Sequence, residues 1–224
     1  LLGMNAKSDF TDENIYVSHL ENNSWSNPVS ISKNINSDNN EGAHTISSNG
    51  EILIFARGVT GEGVDLYISQ YANNEWQKAS KLSSPISTGH WDSQPCLSAD
   101  GKTIYFVSNR PGGKGEKDIW KIEKKDDNSW SKPINLGDSI NTKGNEMSPF
   151  IHPDNKTLYF SSDYWIGMGK LDLFISRLDS NNIWSSPVNL GYPINTEKDD
   201  VRLIVTTDGK RAYFSSDYIG ENHD

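Results

Sequence analysis

The sequence predicts an all-β fold built from repeated antiparallel sheets, and three observations support this prediction. Helix-forming runs of Ala, Leu, Glu and Lys are nearly absent from the 224 residues, while Asn, Ser, Asp and Gly clusters recur between short apolar segments. The stretch TLYFSSD at 157–163 returns almost unchanged as RAYFSSD at 211–217. The surrounding pattern of turn, apolar run, Gly-rich loop and Trp recurs along the chain with a period of about 53 residues.

Each repeat places a tight turn before a continuous apolar run. The turn residue that tolerates positive φ is glycine in three repeats and Asn155 in the remaining one. Asp-Gly and Asn-Gly pairs between apolar runs are strong hairpin signals, so they predict adjacent antiparallel strands. The central runs are ILIFA, TIYFV, TLYFS and RAYFS, at 52–56, 103–107, 157–161 and 211–215.

A second apolar run follows the Gly-rich loop, and then a Trp strand. The Asp before the second run, at Asp65, Asp118 and Asp172, is expected to tie its loop through side-chain-to-backbone hydrogen bonds. Pro follows the Trp in three repeats, which only an edge strand accepts, while continuous apolar runs suit strands covered on both faces. Blades stacked face to face around an axis satisfy both demands, so we predict a β-propeller of four-stranded antiparallel blades. The Trp residues are Trp25, Trp76, Trp130 and Trp184.

Length and composition limit the other possibilities. Nothing in the 224 residues demands more than one domain, so a single propeller domain is predicted over 1–224, with repeats at about 14–64, 65–117, 118–171 and 172–224. The net charge of −9 repels phosphate backbones, so nucleic acid is not expected as a partner. No apolar run approaches the roughly 20 residues of a membrane span, so no membrane insertion by this segment is expected. The single cysteine excludes an internal disulfide.

Enzyme motifs are absent from the sequence. It contains no GxSxG elbow, HExxH pair or P-loop, and its five His residues share no repeat position. The sequence therefore predicts a protein that is not an enzyme.

The repeats resemble the WD-like β-propeller repeat related to the propeller of TolB. The resemblance rests on the string SPFIHPDNKTLYFSSDYWIGMGKLDLFIS, the loop NRPGGKGEKDIW and the linkers INLGDSINTKGNE and VNLGYPINT, and it covers nearly the whole chain. Two repeats depart from it, since ARGVTGEGVD replaces the usual loop of the first and Ala79 replaces the Pro of the second. Repeats with these sequence motifs are typical of Bacteroidetes envelope proteins in which the propeller precedes an OmpA-like domain. These proteins include a component of the type IX secretion and gliding apparatus. The resemblance therefore implies an exported protein, periplasmic or associated with the outer membrane.

The resemblance also orders the strands within a blade. By analogy with TolB-type blades, the strand before the Asp-Gly turn is innermost and the Trp strand outermost. The sequence then has two outer strands near its start and two inner strands near its end, which together amount to one blade. Two architectures remain open: a closed four-bladed ring with a shared terminal blade, or an arc of a larger propeller.

A carboxylate stands nine residues before each turn residue, where the innermost strand begins. In a closed ring these acids would repeat around one mouth of the channel. Such a column could hold Ca²⁺ or receive a Lys or Arg from a partner. Alternatively, each acid accepts backbone N–H bonds or pairs with a neighbouring blade. The acids are Glu41, Asp92, Glu146 and Asp200.

Side chains that break the repeat are further binding candidates. Arg202 lies two residues after the last acid, Asp200. Because side chains of a regular strand alternate between its faces, Arg202 is expected on the same face as Asp200, where it could neutralise part of the acid column. His90 and Trp91 precede Asp92, and Trp165 lies in the loop SSDYWIGMG with Tyr164 and Met168. A Trp among polar loop residues can serve recognition or can fold over its own blade.

Two functional hypotheses follow. The first is a non-catalytic binding propeller of the cell envelope, which docks a protein or peptidoglycan-associated partner through one face and needs no cofactor beyond a possible Ca²⁺. The second is a propeller enzyme that acts on glycans with carboxylates of the channel mouth. Because the innermost strands offer mainly Phe150 as an aromatic platform, the first is favoured.

Overall fold

The computed structural model describes residues 2–4, 13–127 and 129–218, with backbone alone for 2–4. Over these residues the chain forms strands, turns and bends and contains no helix, and so none that could cross a membrane. Two compact units make up the chain, Leu1–Pro95 and Cys96–Asp224, and the boundary falls inside one strand. The all-β prediction is confirmed.

The first unit contains a three-stranded sheet, a short ladder and the first complete repeat sheet. The three-stranded sheet has the order β1-β2-β5, and the ladder joins β3 to β4. The complete sheet has the order β10-β8-β7-β6, and β9 also pairs with β8. The strands are β1 Leu2–Met4, β2 Ile15–Val17, β3 Leu20–Glu21, β4 Ser24–Trp25, β5 Val29–Ser30, β6 Asn40–Ile46, β7 Ile52–Val59, β8 Gly63–Ala72, β9 Glu75–Trp76 and β10 Ser80–Lys81.

Two further repeat sheets and a final pair of strands follow. The sheets have the sequential orders β11-β12-β13-β14 and β15-β16-β17-β18, and the pair joins β19 to β20. Each complete sheet therefore has the four principal antiparallel strands that the repeat predicted. The strands are β11 Asp92–Leu97, β12 Thr103–Ser108, β13 Asp118–Glu123, β14 Ile134–Asn135, β15 Glu146–Ile151, β16 Thr157–Ser162, β17 Asp172–Arg177, β18 Val188–Asn189, β19 Asp200–Val205 and β20 Ala212–Ser216.

The outermost strand of each sheet lies just after the Trp, which corrects the predicted Trp strand. Trp130 and Trp184 form single bridges to Lys124 and Leu178, while the outer strands that follow are β14 and β18. Pairing stops after the Trp and resumes in the outer strand, also in the second repeat, where Ala79 stands in place of the Pro. Proline, which lacks the N–H that a ladder needs, agrees with this gap in the other repeats but is not required for it.

A β-bulge interrupts the innermost strand two residues after the acid in β6, β15 and β19. In β15 the register shifts between Met147 and Phe150, and comparable shifts occur in β6 and β19. The residue there has positive φ in every repeat, although none is glycine. Side chains at this position therefore do not continue the regular alternation, which corrects the expectation that they share a face with the acids. The residues are Ala43, Gln94, Ser148 and Arg202.

Central strands supply the core of each unit. In the first unit, Phe55 of β7 is fully buried and packs with Ile15, Leu53 and Trp76. In the second unit, Phe160 and Phe174 stack with ring centroids 6.0 Å apart. Burial on both faces explains why these strands read as continuous apolar runs.

The first and last sheets are partial repeats, as predicted from the order of the repeated segments along the chain. Strands β2 and β5 correspond to the two outer strands of a complete sheet, and β19 and β20 correspond to the two inner ones. Strand β1 pairs with β2 along the edge that β5 leaves free. In a complete sheet, the second strand pairs with the third along this edge. The described pairings contain no closed sheet, so the blade number and ring closure stay predictions.

Candidate functional site

The four predicted acids stand at the beginnings of innermost strands, and each is fully buried with an exposed fraction of 0%. Glu41 and Asp92 lie in the first unit, and Glu146 and Asp200 lie in the second. Their burial means that none of the four carboxylates lies open to solvent in this structure.

Every acid accepts two hydrogen bonds from the residue four positions before it. For Glu146 the donors are the backbone N–H of Thr142, at 2.8 Å, and its hydroxyl, at 2.6 Å. These bonds tie the linker to the start of the strand and satisfy a backbone N–H that would otherwise be buried without a partner. The corresponding pairs are Ser37 with Glu41, Thr88 with Asp92 and Thr196 with Asp200.

Burial raises the pKa of Glu146 above its ordinary value, although hydrogen bonds oppose this shift. Besides Thr142, the hydroxyl of Ser162 donates to Glu146 at 2.9 Å and favours the charged form. The negative charge of Asp118 adds to the effect of burial. The carboxylate is therefore held by the fold at a cost in desolvation.

Arg57 distinguishes the first acid from the other three. Its Nε donates to Glu41 at 2.6 Å, and a terminal nitrogen donates to the carbonyl of Ile35 at 2.7 Å. The guanidinium also lies 4.5 Å from the ring centroid of Tyr67. At the equivalent position of the other repeats stands a serine, so an arginine at this place is specific to the first repeat.

The Asn of the INT linkers clamps the third strand. Asn141 accepts a hydrogen bond from the N–H of Ile119 at 2.8 Å and donates to its carbonyl at 2.9 Å. Asn195 makes the same pair of bonds with Leu173. Asn in this motif therefore holds the strand, and the Thr that follows it binds the acid.

The Asp before the third strand ties its loop in the second unit, as predicted. Asp118 accepts hydrogen bonds from the backbone of Lys114 and Gly115, and Asp172 accepts them from Met168 and Gly169. The first unit differs, because Asp65 binds the ammonium of Lys81 at 2.5 Å.

The candidates that break the repeat are placed in different environments. His90 is exposed, while Trp91 is partly buried directly before Asp92. Arg202 is exposed at the bulge of β19, with φ of 60°. Trp165 is partly buried, and its indole N–H donates to the carbonyl of Ile140 at 3.1 Å.

Among the described residues, no group of three or more His, Cys, Asp or Glu side chains lies together in a way that could hold a metal ion. The acids that were predicted as possible Ca²⁺ ligands are instead engaged by their own linkers, and their ion-binding role stays a prediction.

The loop 163–171 presents apolar side chains to solvent, which sequence reasoning recognised only in part. Ile166 is 94% exposed, and Tyr164 and Met168 are each about half exposed. The loop of the preceding repeat has the same length, and Gly112 and Lys114 occupy the places of Ile166 and Met168. Comparison of the two loops could therefore have identified Ile166.

Several contacts hold this apolar loop in one conformation. Asp172 binds the N–H groups of Met168 and Gly169, and the indole of Trp165 is fixed to Ile140. A Cβ added to Gly167 would lie 1.9 Å from Asp172 Oδ2, so only glycine fits. The loop is thus tied at its base while its apolar side chains point outward.

Comparisons with known proteins identify the fold. No family model matches the chain, and no curated protein matches its sequence. Among solved structures, it resembles TolB from Acinetobacter baumannii with a TM-score of 0.54 and 12% identity over 89% of this chain and 42% of that one. The structure of a TolB-type protein from Agrobacterium tumefaciens gives a TM-score of 0.56 and 20% identity, over 95% of this chain and 69% of that one. The periplasmic gluconolactonase PpgL of Pseudomonas aeruginosa gives a TM-score of 0.54 and 15% identity, over 96% of this chain and 60% of that one.

The repeat sheets and these similarities define a β-propeller with a TolB-like fold. The chain spans less than half of the Acinetobacter TolB and about three fifths of the gluconolactonase. At such identities the similarity extends to the fold alone, and the similar solved structures include a nidogen/laminin complex and a prolyl endopeptidase.

Proposed function

We propose that this chain is a non-catalytic binding propeller of an exported bacterial envelope protein, and that it docks a protein partner through the loop 163–171. The observation that carries the proposal is the outward set of Tyr164, Ile166 and Met168. Exposed apolar groups that cluster on one loop mark interaction surfaces more often than scattered ones do.

Rigidity of the loop supports docking. Because Asp172 binds the backbone N–H groups of the loop and Trp165 is bound to Ile140, a partner would not have to order the loop on binding, which lowers the entropic cost of association. Nearby, Tyr192 is 79% exposed, and the amide of Asn189 donates to the carbonyl of Ile166 at 3.3 Å. The apolar surface therefore extends toward the linker after β18.

The proposed setting is the periplasm, in association with the outer membrane. Two of the similar folds are a TolB and an enzyme described as periplasmic, which agrees with an exported propeller. The finer setting, an OmpA-family protein within a type IX secretion-like complex, is proposed from the resemblance of the repeats. A peptidoglycan-associated protein is a suitable partner for such a component.

No observation favours the alternative of a glycan-cleaving enzyme at the acid column. A general acid or nucleophile must reach its substrate. Glu146 and the other three acids are fully buried and already accept hydrogen bonds from their linkers.

A photocrosslinking experiment tests the proposed docking loop. A benzophenone amino acid is placed at Ile166, or at Ile183 as a control that is also exposed, and the protein is irradiated in its native cells. We expect a discrete adduct with one protein from position 166 and none from 183. Equal adducts from both positions, or none from either, would contradict the proposal.

A further inference from the structure

Met168 brings a thioether to the surface of the loop 163–171. The chain contains three Met residues, and the structure describes the side chains of Met147 and Met168. Met168 is 51% exposed, whereas Met147 of β15 is partly buried within a strand. A thioether that solvent reaches is open to oxidation, and its product, the sulfoxide, is polar. Of these two residues, Met168 is therefore expected to be oxidised first.

Oxidation by a peroxide would convert the Met168 thioether to a sulfoxide. One oxygen atom of hydrogen peroxide passes to sulfur as the O–O bond breaks and an S–O bond forms. Sulfur loses two electrons, and the peroxide leaves as water, which keeps both of its protons. Methionine sulfoxide reductases return the sulfoxide to the thioether. The modification thus exchanges an apolar group for a polar one and is reversible.

The hydrogen bonds that hold the loop do not involve the sulfur of Met168. Asp172 accepts hydrogen bonds from the backbone N–H groups of Met168 and Gly169, at 2.9 and 3.1 Å. The indole N–H of Trp165 donates to the carbonyl of Ile140 at 3.1 Å. Oxidation leaves all of these bonds in place, so the held backbone limits how far the modified side chain can withdraw from the surface.

A sulfoxide at position 168 should affect docking more than folding. The core of this unit is built from fully buried side chains such as Phe160, whereas about half of Met168 already lies in solvent. Tyr164 and Ile166 are the exposed apolar side chains that share the loop with Met168. Burying an S–O group against a partner without a hydrogen bond is unfavourable, so the sulfoxide weakens an apolar contact.

We propose that oxidation of Met168 by a peroxide is a reversible switch that weakens docking through the loop 163–171. This switch rests on the docking role proposed for the loop. The shape of the loop does not require methionine, because the preceding loop has the same length and the same backbone tie, from Lys114 to Asp118. Methionine at this place therefore adds a property, oxidation, that the loop does not need for its conformation.

Graded oxidation of the purified chain tests the chemical half of the proposal. Hydrogen peroxide is added, and peptide mass spectrometry follows the gain of one oxygen at each Met. We expect Met168 to be oxidised several times faster than Met147, while the thermal midpoint stays within about 2 °C of the untreated value. Equal rates at the two residues, or faster oxidation of Met147, would overturn the proposal.

Photocrosslinking of the oxidised chain tests the functional half. The chain with benzophenone at Ile166 is treated with peroxide, cleared of it with catalase, and irradiated at limiting concentration in an envelope extract of its native cells. We expect the adduct to fall about tenfold and to return after treatment with methionine sulfoxide reductases. Met147→Leu should show the same fall, whereas the adduct of Met168→Leu should match that of its own untreated sample.

The outcomes separate the switch from the docking role. Absence of a discrete adduct from the untreated chain would contradict docking through the loop and, with it, the switch. An adduct that survives full oxidation of Met168, or that falls equally in Met168→Leu, would overturn the switch alone and leave the docking role standing.

Discussion

Removing the Glu146 carboxylate should destabilise the second unit by a predictable amount. Glu146→Ala leaves the N–H and hydroxyl of Thr142 and the hydroxyl of Ser162 without their acceptor at a fully buried site. One unsatisfied buried donor costs about 1–3 kcal/mol, and the two hydroxyls can turn to other partners. With the cavity that the substitution creates, the expected loss is about 3–4 kcal/mol.

Calorimetric unfolding measures this loss. For a chain of this length it corresponds to a fall in Tm of about 6–16 °C. Glu146→Gln should cost less, because its amide oxygen can still accept the bond from the Thr142 N–H while its NH₂ donates to the hydroxyls. Glu197→Gln, at an exposed acid in the next linker, is the matched control and should leave Tm nearly unchanged.

Added Ca²⁺ separates the structural role of Glu146 from an ion-binding role. If the carboxylate only ties the linker, millimolar Ca²⁺ should leave every Tm unchanged. If Ca²⁺ raises the wild-type Tm and both Glu146 variants lose that gain, the acid is an ion ligand, because a ligand that binds only the folded state must stabilise it. That result would contradict a purely structural role for Glu146.

Three further predictions follow from buried groups. Since the pKa of Glu146 is raised in the folded state, the unfolding free energy of the wild type relative to Glu146→Gln should fall as pH rises from 4.5 through that raised pKa. Urea titrations measure this difference, and an increase of it over the same pH range would contradict the direction of the shift. Asn141→Ala removes the clamp on Ile119 and should cost about 2–3 kcal/mol, while Asn181→Ala should change the unfolding free energy by less than about 0.5 kcal/mol; equal effects would refute the clamp. Burial raises the pKa of Cys96 to about 12, so thiol reagents should label it only when the chain unfolds, and rapid labelling of the folded protein would contradict its burial.

Much of the fold could be predicted because its signals are local. Asp-Gly turns and continuous apolar runs specify adjacent antiparallel strands over a few residues, so the four-stranded sheets agree with the repeat. The INT linkers were recognised as repeated segments, but the sequence did not indicate their roles: Asn141 holds a strand and Thr142 binds an acid.

Other features could not be predicted because they depend on contacts across the sheet. The position two residues after each acid is occupied by four unrelated residue types, among them Ala43 and Arg202, so no residue preference signals its positive φ. The four acids stand at the beginnings of innermost strands, as the sequence predicted, but the sequence did not indicate their complete burial. Trp165 stood out as an aromatic residue, whereas the more exposed Ile166 did not.

We propose that the repeated side chains hold the fold and that side chains that differ between repeats carry function. The most direct test compares Ile166→Asp with Ile183→Asp, measuring both unfolding free energy and co-purification with the crosslinked partner. We predict that both variants keep wild-type stability within about 0.5 kcal/mol and that only Ile166→Asp loses the partner. Retention of the partner by Ile166→Asp, or its loss together with a large fall in stability, would contradict the claim.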